Sequence, residues 1–192
     1  MPSVFSHAVV GSTLVACGLR QPRPRLVAIG AALAMLPDLD VLGLAVGWGL
    51  DHPLGHRGLS HSLAAAAALA TIALVVSRGR EAQPARAGPS WWVWAVLFVA
   101  TASHGVLDAL TNGGRGVAFL APFSARRWHF AFRPIEVSPI GVRDFFLTGR
   151  GLEVIGNELL WLWLPSLALL AIVWGLRRVS GPRTPAARGP DR

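Results

Sequence analysis

Lysine is absent from this 192-residue sequence, and cysteine occurs once, at Cys17. A single cysteine excludes an intrachain disulfide framework and a cysteine-based metal site, so any metal ion would need His, Asp or Glu ligands. The absence of lysine excludes hydrolytic sites built on a serine–lysine pair. The Gly-x-Ser-x-Gly turn that carries the nucleophile of many serine hydrolases is also missing.

Charged residues are scarce as well. They make up 15% of the chain, whereas hydrophobic residues make up 53% and the mean hydropathy is +0.48. Soluble domains are about a quarter charged. The net charge of +8 would suit a nucleic-acid-binding protein, but the arginines lie in gaps between apolar runs rather than along one stripe. This distribution favours a membrane protein and predicts no nucleic-acid partner.

Five apolar runs follow one another along the chain, and the last approaches the ~20 residues that a spanning helix needs. They lie at 7–19, 26–50, 61–77, 90–110 and 159–176. The pattern predicts an all-α fold, a polytopic membrane helical bundle of about four to five transmembrane or re-entrant helices. We expect 1–180 to form a single membrane domain with 111–157 as a long outer connection, and 181–192 to be a disordered Arg/Pro-rich tail.

Arginine clusters predict the orientation of this bundle. Threading the five runs alternately places the clusters at 20–25, 78–86 and 177–188 on one side. By the positive-inside rule that side is the cytoplasm. The connection 111–157 then faces outward, although it contains arginines of its own.

Ionisable side chains interrupt the apolar runs, where each is costly and marks function by default. His7, Asp38, His61 and His104 each lie 12 to 16 residues from the cytoplasmic end of their run. At 1.5 Å per helical residue this is roughly 18–24 Å from the cytoplasmic side, near the outer boundary of a core about 30 Å thick. Four segments therefore bring polar groups to one level.

Local spacing indicates how these groups could converge. His104 and Asp108 are four residues apart, so they share one helix face and could ligate one ion or two neighbouring ions. Pro37 disfavours helix for the residue before it, so we expect the chain to unwind there and turn Asp38 and Asp40 into a cavity. The same side chains would also serve as helix caps or as a structural His–Asp pair.

The segment from His56 to Ser62 carries a second pair of histidines. On a continuous helix His56 and His61 would be about 140° apart, but Gly58 and the N-cap candidate Ser60 predict a helix that starts near Ser60, which lets both rings turn inward. Arg57 between them could clamp a phosphate or a carboxylate. Imidazole together with carboxylate suits zinc, manganese or iron.

These motifs resemble the YdjM-like family of predicted inner-membrane, metal-dependent hydrolases. The matching pieces cover roughly residues 1–125 in the same order: His7, Pro37-Asp38-Leu39-Asp40, His56-Arg57-Gly58-Leu59-Ser60-His61-Ser62, and His104-Gly105-Val106-Leu107-Asp108 followed by Thr111 and Gly113-Gly114. The resemblance implies a multi-pass protein of the bacterial inner membrane. It implies that the metal ligands are His7, Asp38, His56, His61, His104 and Asp108, with Asp40 as a supporter or further ligand.

The resulting hypothesis is metal-dependent hydrolysis of a lipid or lipid-linked substrate, phosphate esters included, near the outer interface. One or two divalent ions, zinc before manganese or iron, would generate hydroxide from water and polarise the ester oxygen. Asp40 or Asp38 could accept a proton, and Arg57 and Arg115 are candidates for binding a phosphate group. The alternatives are metal transport, which expects polar groups at several depths, and a membrane scaffold with a structural metal.

Overall fold

The computed structural model describes residues 1–49, 52–78 and 88–180. In these ranges the chain is helical, and strand pairing is limited to two isolated bridges, Thr111 with Ile135 and Val117 with Trp128. The α-helices of the described ranges are α1 (Val4–Gly18), α2 (Pro24–Met35), α3 (Leu42–Ala45), α4 (Leu63–Arg78), α5 (Ser90–Ala109), α6 (Val142–Leu147), α7 (Arg150–Glu158) and α8 (Leu164–Ser180). The expected all-α class is confirmed. The expected disordered tail, 181–192, lies outside the described residues.

Within the described ranges, three helical stretches are long and apolar enough to cross a membrane: Pro24–Ala45, Ser90–Ala109 and Arg150–Ser180. The apolar helices α1 and α4 are shorter, with 15 and 16 residues. A helix of that length extends about 24 Å, somewhat less than the hydrocarbon core of about 30 Å. The run expected at 159–176 is the central part of the 31-residue stretch from Arg150 to Ser180.

Helices α1 and α2 pack closely because glycines face each other across their interface. A Cβ atom on Gly11 would lie 2.5 Å from the Cβ of Ala34 and 2.7 Å from the carbonyl oxygen of Gly30. A Cβ atom on Gly30 would lie 2.3 Å from a methyl carbon of Val15. Small residues at such contacts let helix backbones approach in a membrane, where packing rather than hydrophobicity drives association. Helices α5 and α8 also pack against α1, and α4 packs against α5.

The main apolar core lies between α1, α2, α4 and α5, toward the end that the arginine clusters predict to be cytoplasmic. Its buried members are Val15, Leu19, Leu26, Leu33, Ala70, Val93, Val96, Leu97 and Ala100. A smaller cluster joins Leu107 of α5, Ile135 of the connection and Leu162. The polar residues that interrupt the apolar runs lie outside both clusters, so the fold keeps them together at one end.

The last helical stretch holds α1 at both of its ends. At the N-terminal end, Ser3 Oγ and Ser6 Oγ donate hydrogen bonds of 2.5 and 2.7 Å to the buried carboxylate of Glu158, and Ser3 N donates to it as well. At the C-terminal end, Arg177 donates to the carbonyl oxygens of Ala16, Cys17 and Leu19. A carboxylate at a helix N-terminus and a guanidinium at its C-terminus both complement the helix dipole. This arrangement fixes α1, and with it His7.

Two local expectations are corrected. The chain does not unwind after Pro37 but tightens into a 3-10 helix, Leu36–Val41, that continues α2 into α3. Proline is tolerated there because it stands at the first turn, where its missing N–H costs no hydrogen bond. Ser60 does not cap the following helix: Ser62 Oγ accepts a hydrogen bond from Ala65 N at 3.0 Å, and α4 begins at Leu63.

Candidate metal centre

Four elements bring the interrupting polar residues into one buried cluster. Helix α1 contributes His7, and the 3-10 helix after α2 contributes Asp38 and Asp40. The loop and short 3-10 helix ahead of α4 contribute the two histidines of the 56–62 segment. The last turns of α5 contribute His104 and Asp108. The common level expected from the residue spacing therefore corresponds to a real cluster in three dimensions.

The centre of the cluster is a quartet formed by Asp38, His61, His104 and Asp108, defined here as the metal quartet. One ligand atom from each residue lies within 4.8 Å of the other three, and all four residues are buried. His61 Nε2 and His104 Nε2 are 2.9 Å apart. Asp38 Oδ1 lies 3.3 Å from His104 Nε2, and Asp108 Oδ2 lies 3.3 Å from His61 Nε2. Two nitrogens on one tetrahedral zinc ion would be roughly 3.3 Å apart, so the quartet has the dimensions of a single-ion site.

The ring orientation and tautomer of His104 are set by its outer neighbour. Its Nδ1 lies 2.7 Å from the carbonyl oxygen of Ala34. A carbonyl oxygen only accepts, so Nδ1 carries the hydrogen and the neutral ring presents an unprotonated Nε2 to the quartet. Metal-binding histidines are oriented in this way by a hydrogen bond from the second ring nitrogen.

Asp40 performs the same task for His61 and also holds His56. His61 Nδ1 lies 3.1 Å from Asp40 Oδ2, and His56 Nδ1 lies 2.7 Å from Asp40 Oδ1. Ser60 Oγ donates to Asp40 Oδ2 at 2.5 Å. Asp40, His56 and His61 form a second group with metal-ligand spacing, but in this arrangement Asp40 orients imidazoles. His61 turns its other nitrogen, Nε2, toward the quartet.

His7 lies against the far side of the quartet. Its ring stacks on His104 with centroids 3.8 Å apart and planes 17° apart. His7 Nε2 is 3.7 Å from Asp108 Oδ1 and 3.8 Å from Asp38 Oδ2. These are the carboxylate oxygens that point away from His61 and His104. His7 is therefore placed beside both carboxylates rather than isolated in the helix.

The polar atoms of this cluster fit a bound cation. Both oxygens of Asp38, both oxygens of Asp108 and both ring nitrogens of His7 are buried without a hydrogen-bond partner among the described residues. Leaving a buried polar group unsatisfied costs about 1–3 kcal/mol, and more when it is charged. A divalent ion would supply the missing partner to several of these atoms at once, and carboxylate with imidazole suits zinc, manganese or iron.

Arg57 is the cation that the structure itself places beside the quartet. Its Nε lies 3.0 Å from Asp108 Oδ2, a charge contact without the alignment of a hydrogen bond. Its Nη1 donates to the carbonyl oxygen of Gly113, and its Nη2 donates to Thr111 Oγ1, each at 3.1 Å. The sequence offered no nearby arginine for Asp108, and the partner comes from another segment. Arg57 has a positive φ of 65°, a strained conformation of the kind found at functional sites.

A basic cavity opens beside Arg57. It has a volume of about 280 Å³, and its wall includes His56, Arg57, Arg115, Arg127 and Ser138. Nη1 of Arg127 donates to the carbonyl oxygens of His56 and Arg57 at 3.2 Å, which ties the connection 111–157 to the loop at 56–57. Nearby, partial burial and the charges of Arg133 and Arg57 lower the pKa of His129. This side of the site thus carries a positive potential.

An apolar groove adjoins the other side of Asp40. It has a volume of about 710 Å³ and is formed by the 3-10 helix, α3, the following loop and α4, with Leu39, Leu42 and Leu69 in its wall. Apart from the Trp48 indole, the polar side chains that the described residues contribute to it are those of Asp40 and Ser60. Leu42 is 66% exposed and Leu39 is 58% exposed, so the groove opens outward along a membrane-spanning stretch.

All of the residues singled out from the sequence lie in or beside this cluster. His7 and the metal quartet are at the centre, His56 is held by Asp40, and Arg57 and Arg115 line the basic cavity. His52, which belongs to none of the motifs, stacks on Trp48 at a centroid distance of 5.2 Å. No motif in the sequence indicates a role for Arg127, because only the fold brings it to the loop at 56–57. The carbonyl of Ala34 carries no sequence signal at all.

Comparison with known proteins agrees with the motifs. The family model described as YdjM inner membrane protein matches residues 1–180. The inner membrane protein YbcI of Escherichia coli strain K12 is 37% identical over 179 residues, which cover 93% of this chain and 100% of that protein. No solved structure matches. The chain belongs to the YdjM family of inner membrane proteins.

Proposed function

We propose that this protein is a membrane-embedded, metal-dependent hydrolase that acts on a lipid or lipid-linked substrate. The observation that supports the proposal best is the metal quartet, in which two carboxylates without hydrogen-bond partners face two imidazoles inside an apolar bundle. Ionisable groups are retained at such positions mainly for function, because they are costly in a membrane. The family and the curated relative are named as inner membrane proteins, which supports the location but not the reaction.

Asp38, His61, His104 and Asp108 would hold the ion, with His7 as a further ligand for that ion or a second one. A bound divalent ion would supply Lewis acidity that polarises an ester oxygen and lowers the pKa of a water molecule. His56 lies beside this centre, outside the quartet. Zinc suits this donor set, and manganese or iron are the alternatives.

Side chains outside the quartet would accept a proton, position Asp108 and bind the anionic part of the substrate. Asp40 orients His61 through Nδ1 and is the nearest carboxylate outside the quartet, so it is the candidate to accept a proton from water. Arg57 fixes Asp108 and presents a positive charge to the basic cavity. Arg115, in the wall of that cavity, is the candidate to contact an anionic part of the substrate.

The expected substrates are components of the outer leaflet. The arginine distribution places the polar level near the outer boundary of the membrane, and the apolar groove opens along a spanning stretch close to Asp40. A lipid could therefore reach the site sideways from the bilayer.

Metal transport is the second candidate function. It would need polar groups along the whole thickness of the bundle, whereas the buried polar side chains that α1, α2, α4 and α5 carry away from the polar level are the hydroxyls of Thr13, Ser77 and Thr101 among the described residues. A scaffold with a structural metal is the third candidate. In a scaffold, the same residues would bind the metal ion only to stabilise the fold.

The substitution Asp108→Asn distinguishes these functions. We would purify wild type and variant in a non-ionic detergent, measure release of products from phospholipids and lipid phosphates, and repeat the assay after chelation. A hydrolase loses turnover on chelation and in the variant while keeping its helical content and elution volume. A scaffold instead loses its fold in the Asp108→Asn variant.

Asp144→Asn, in the exposed part of α6, is the matched control and should leave turnover unchanged. Chelator-insensitive turnover in the wild type, or full turnover in the Asp108→Asn variant, would contradict the proposal.

A further inference from the structure

The apolar groove and the basic cavity meet at Asp40, which is hydrogen-bonded to His56 and to the backbone N–H of Arg57. Asp40 lines the groove, His56 lines the cavity, and Asp40 Oδ1 lies 2.7 Å from His56 Nδ1. Through its other oxygen Asp40 contacts His61, a member of the metal quartet. The two spaces therefore approach the quartet from different sides, one apolar and one cationic.

The groove has the properties of a site for a hydrocarbon chain. In the part of the chain that the structure describes, its wall consists of leucine, valine, alanine, proline and glycine, apart from Trp48 and the polar pair Asp40 and Ser60 at its inner end. Burying methylene groups in such surroundings is favourable, so a longer chain binds more tightly. The polar pair marks the end nearest the quartet, since Ser60 Oγ lies 2.9 Å from His61 Nδ1. A chain in the groove would bring its polar end to this point.

The cavity has the properties of a site for a phosphoryl group. Three arginines, Arg57, Arg115 and Arg127, line its wall together with Ser138. Arg57 and Arg127 are held in place by hydrogen bonds to backbone carbonyls, so the positive charge is fixed before any ligand arrives. Arginine forks match phosphate and carboxylate oxygens with paired, charge-assisted hydrogen bonds.

We propose that the substrate is a long-chain phosphate ester whose hydrocarbon chain occupies the apolar groove and whose phosphoryl group faces the basic cavity across the metal quartet. This inference rests on the proposed hydrolase function. Hydrolysis would break the bond between phosphorus and the leaving alkoxide oxygen and form a bond from a water oxygen to phosphorus. One water proton would end on the alcohol, and the other would be released from the phosphate product or stay on it. A neutral lipid ester would leave the cavity's charges unused, and a water-soluble phosphate ester would leave the groove empty.

A binding measurement that needs no turnover tests this assignment. The probes are hexadecylphosphonate, which carries a chain and a phosphoryl group but no ester bond, methylphosphonate, which lacks the chain, and hexadecanol, which lacks the phosphoryl group. Native mass spectrometry of the metal-loaded protein from non-ionic detergent would report the bound fraction of each. We expect hexadecylphosphonate to bind at least about tenfold more tightly than either partial probe, because it alone uses both sites.

Substitutions in each space separate the two contributions. Arg115→Gln in the cavity and Ala68→Trp in the groove should each weaken hexadecylphosphonate binding about tenfold, the loss expected from one charge-assisted contact or a filled groove. Arg127→Gln should do the same, but Arg127 also braces the loop at 56–57, so Arg115→Gln is the decisive cavity variant. The matched controls are Arg20→Gln, at the opposite end of α1, and Ile72→Trp, on α4 beyond the groove. Both should bind like the wild type.

Each result has a defined meaning. Equal binding of hexadecanol and hexadecylphosphonate, or equal losses in the Arg20→Gln and Arg115→Gln variants, would overturn the assignment of the cavity. Unchanged binding in the Ala68→Trp variant would overturn that of the groove. If hexadecylphosphonate binds as expected but no lipid ester is hydrolysed, the proposed function fails while the binding site stands. If neutral lipid esters are hydrolysed as fast as phosphate esters, the substrate class fails while the hydrolase stands.

Discussion

The guanidinium of Arg57 contacts Asp108 and lies against Gly114, a residue without a side chain. Gly114 has a φ of +88°, and a Cβ atom there would lie 2.3 Å from Nη1 of Arg57. The same guanidinium is held by Thr111 and by the carbonyl of Gly113. The turn at 111–114 therefore forms a cradle for Arg57, and Arg57 in turn positions a carboxylate of the metal quartet.

The substitution Gly114→Ala should weaken metal binding. It displaces Arg57 from Asp108, and loss of an outer partner of a ligand typically costs about 10–100-fold in metal affinity. Competition with a chromophoric chelator would measure the change. Gly149→Ala is the control, because Gly149 also has a positive φ, 77°, but open space around its Cβ position. It should cost about 1–2 kcal/mol of stability from backbone strain with unchanged metal affinity. Wild-type affinity in the Gly114→Ala variant would argue against the cradle.

At the residue scale, the sequence predicted which side chains are candidate ligands, but it did not predict how their rings and carboxylates are oriented. His104 and Asp108 are four residues apart on a helix, and this spacing alone places them on one face. The carbonyl of Ala34, which fixes the ring of His104, belongs to a residue type with no chemistry of its own. Ser60 illustrates the opposite case: its type and position suggested a helix cap, but the fold offers its hydroxyl a carboxylate, Asp40, as a stronger partner.

Helix α1 contacts both α2 and the last helical stretch, and these contacts set how the three pack together. Glu158 and Arg177 hold its two ends, and Gly11 lets α2 approach its middle. The contact of Gly11 with Ala34 lies directly behind the metal centre, because the carbonyl of Ala34 accepts the hydrogen bond from His104. The distance between α1 and α2 is thus linked to the orientation of a ligand.

Replacing Gly11 by alanine should push these helices apart. The new Cβ atom would lie 2.7 Å from a backbone oxygen of α2, and overpacking of this kind costs about 1–3 kcal/mol. We expect a lower midpoint of thermal unfolding in detergent and weaker metal retention. Gly175→Ala on α8, where nothing lies near the Cβ position, is the control. It should keep or raise the midpoint, since alanine favours helix over glycine by about 1 kcal/mol. A Gly11→Ala variant as stable as Gly175→Ala would contradict the close packing.

The apolar runs predicted which helices form. They did not predict where neighbouring helical segments join into one longer stretch. The run at 159–176 gave no sign that the helix would begin at Arg150, because the α7 residues are amphipathic rather than apolar throughout. A π-helical stretch, Leu159–Trp163, joins α7 to α8. It follows directly after Glu158, which contacts Ser3 and Ser6 of the chain's first segment. Contacts between positions more than 150 residues apart leave no local pattern.

At the scale of the whole molecule, the bundle is divided into an apolar half and a polar level. The core of α1, α2, α4 and α5 is apolar, and the quartet, Arg57 and the two cavities lie together at the other end. Residue counting from the cytoplasmic ends predicted this level, because helical rise converts sequence distance into depth. The basic cavity was not predictable, since Arg115 and Arg127 come from a connection without apolar periodicity.

Metal content tests the central claim most directly. Wild-type protein purified in non-ionic detergent without added chelator should retain at least about one divalent ion per chain, with zinc favoured by the His and Asp donors. His104→Ala should lose it, whereas His52→Ala, which alters a histidine stacked on Trp48 away from the quartet, should retain it. Elemental analysis of the three proteins, matched for helical content, gives the answer. Wild-type protein without stoichiometric metal, or His104→Ala protein with the full amount, would contradict the account.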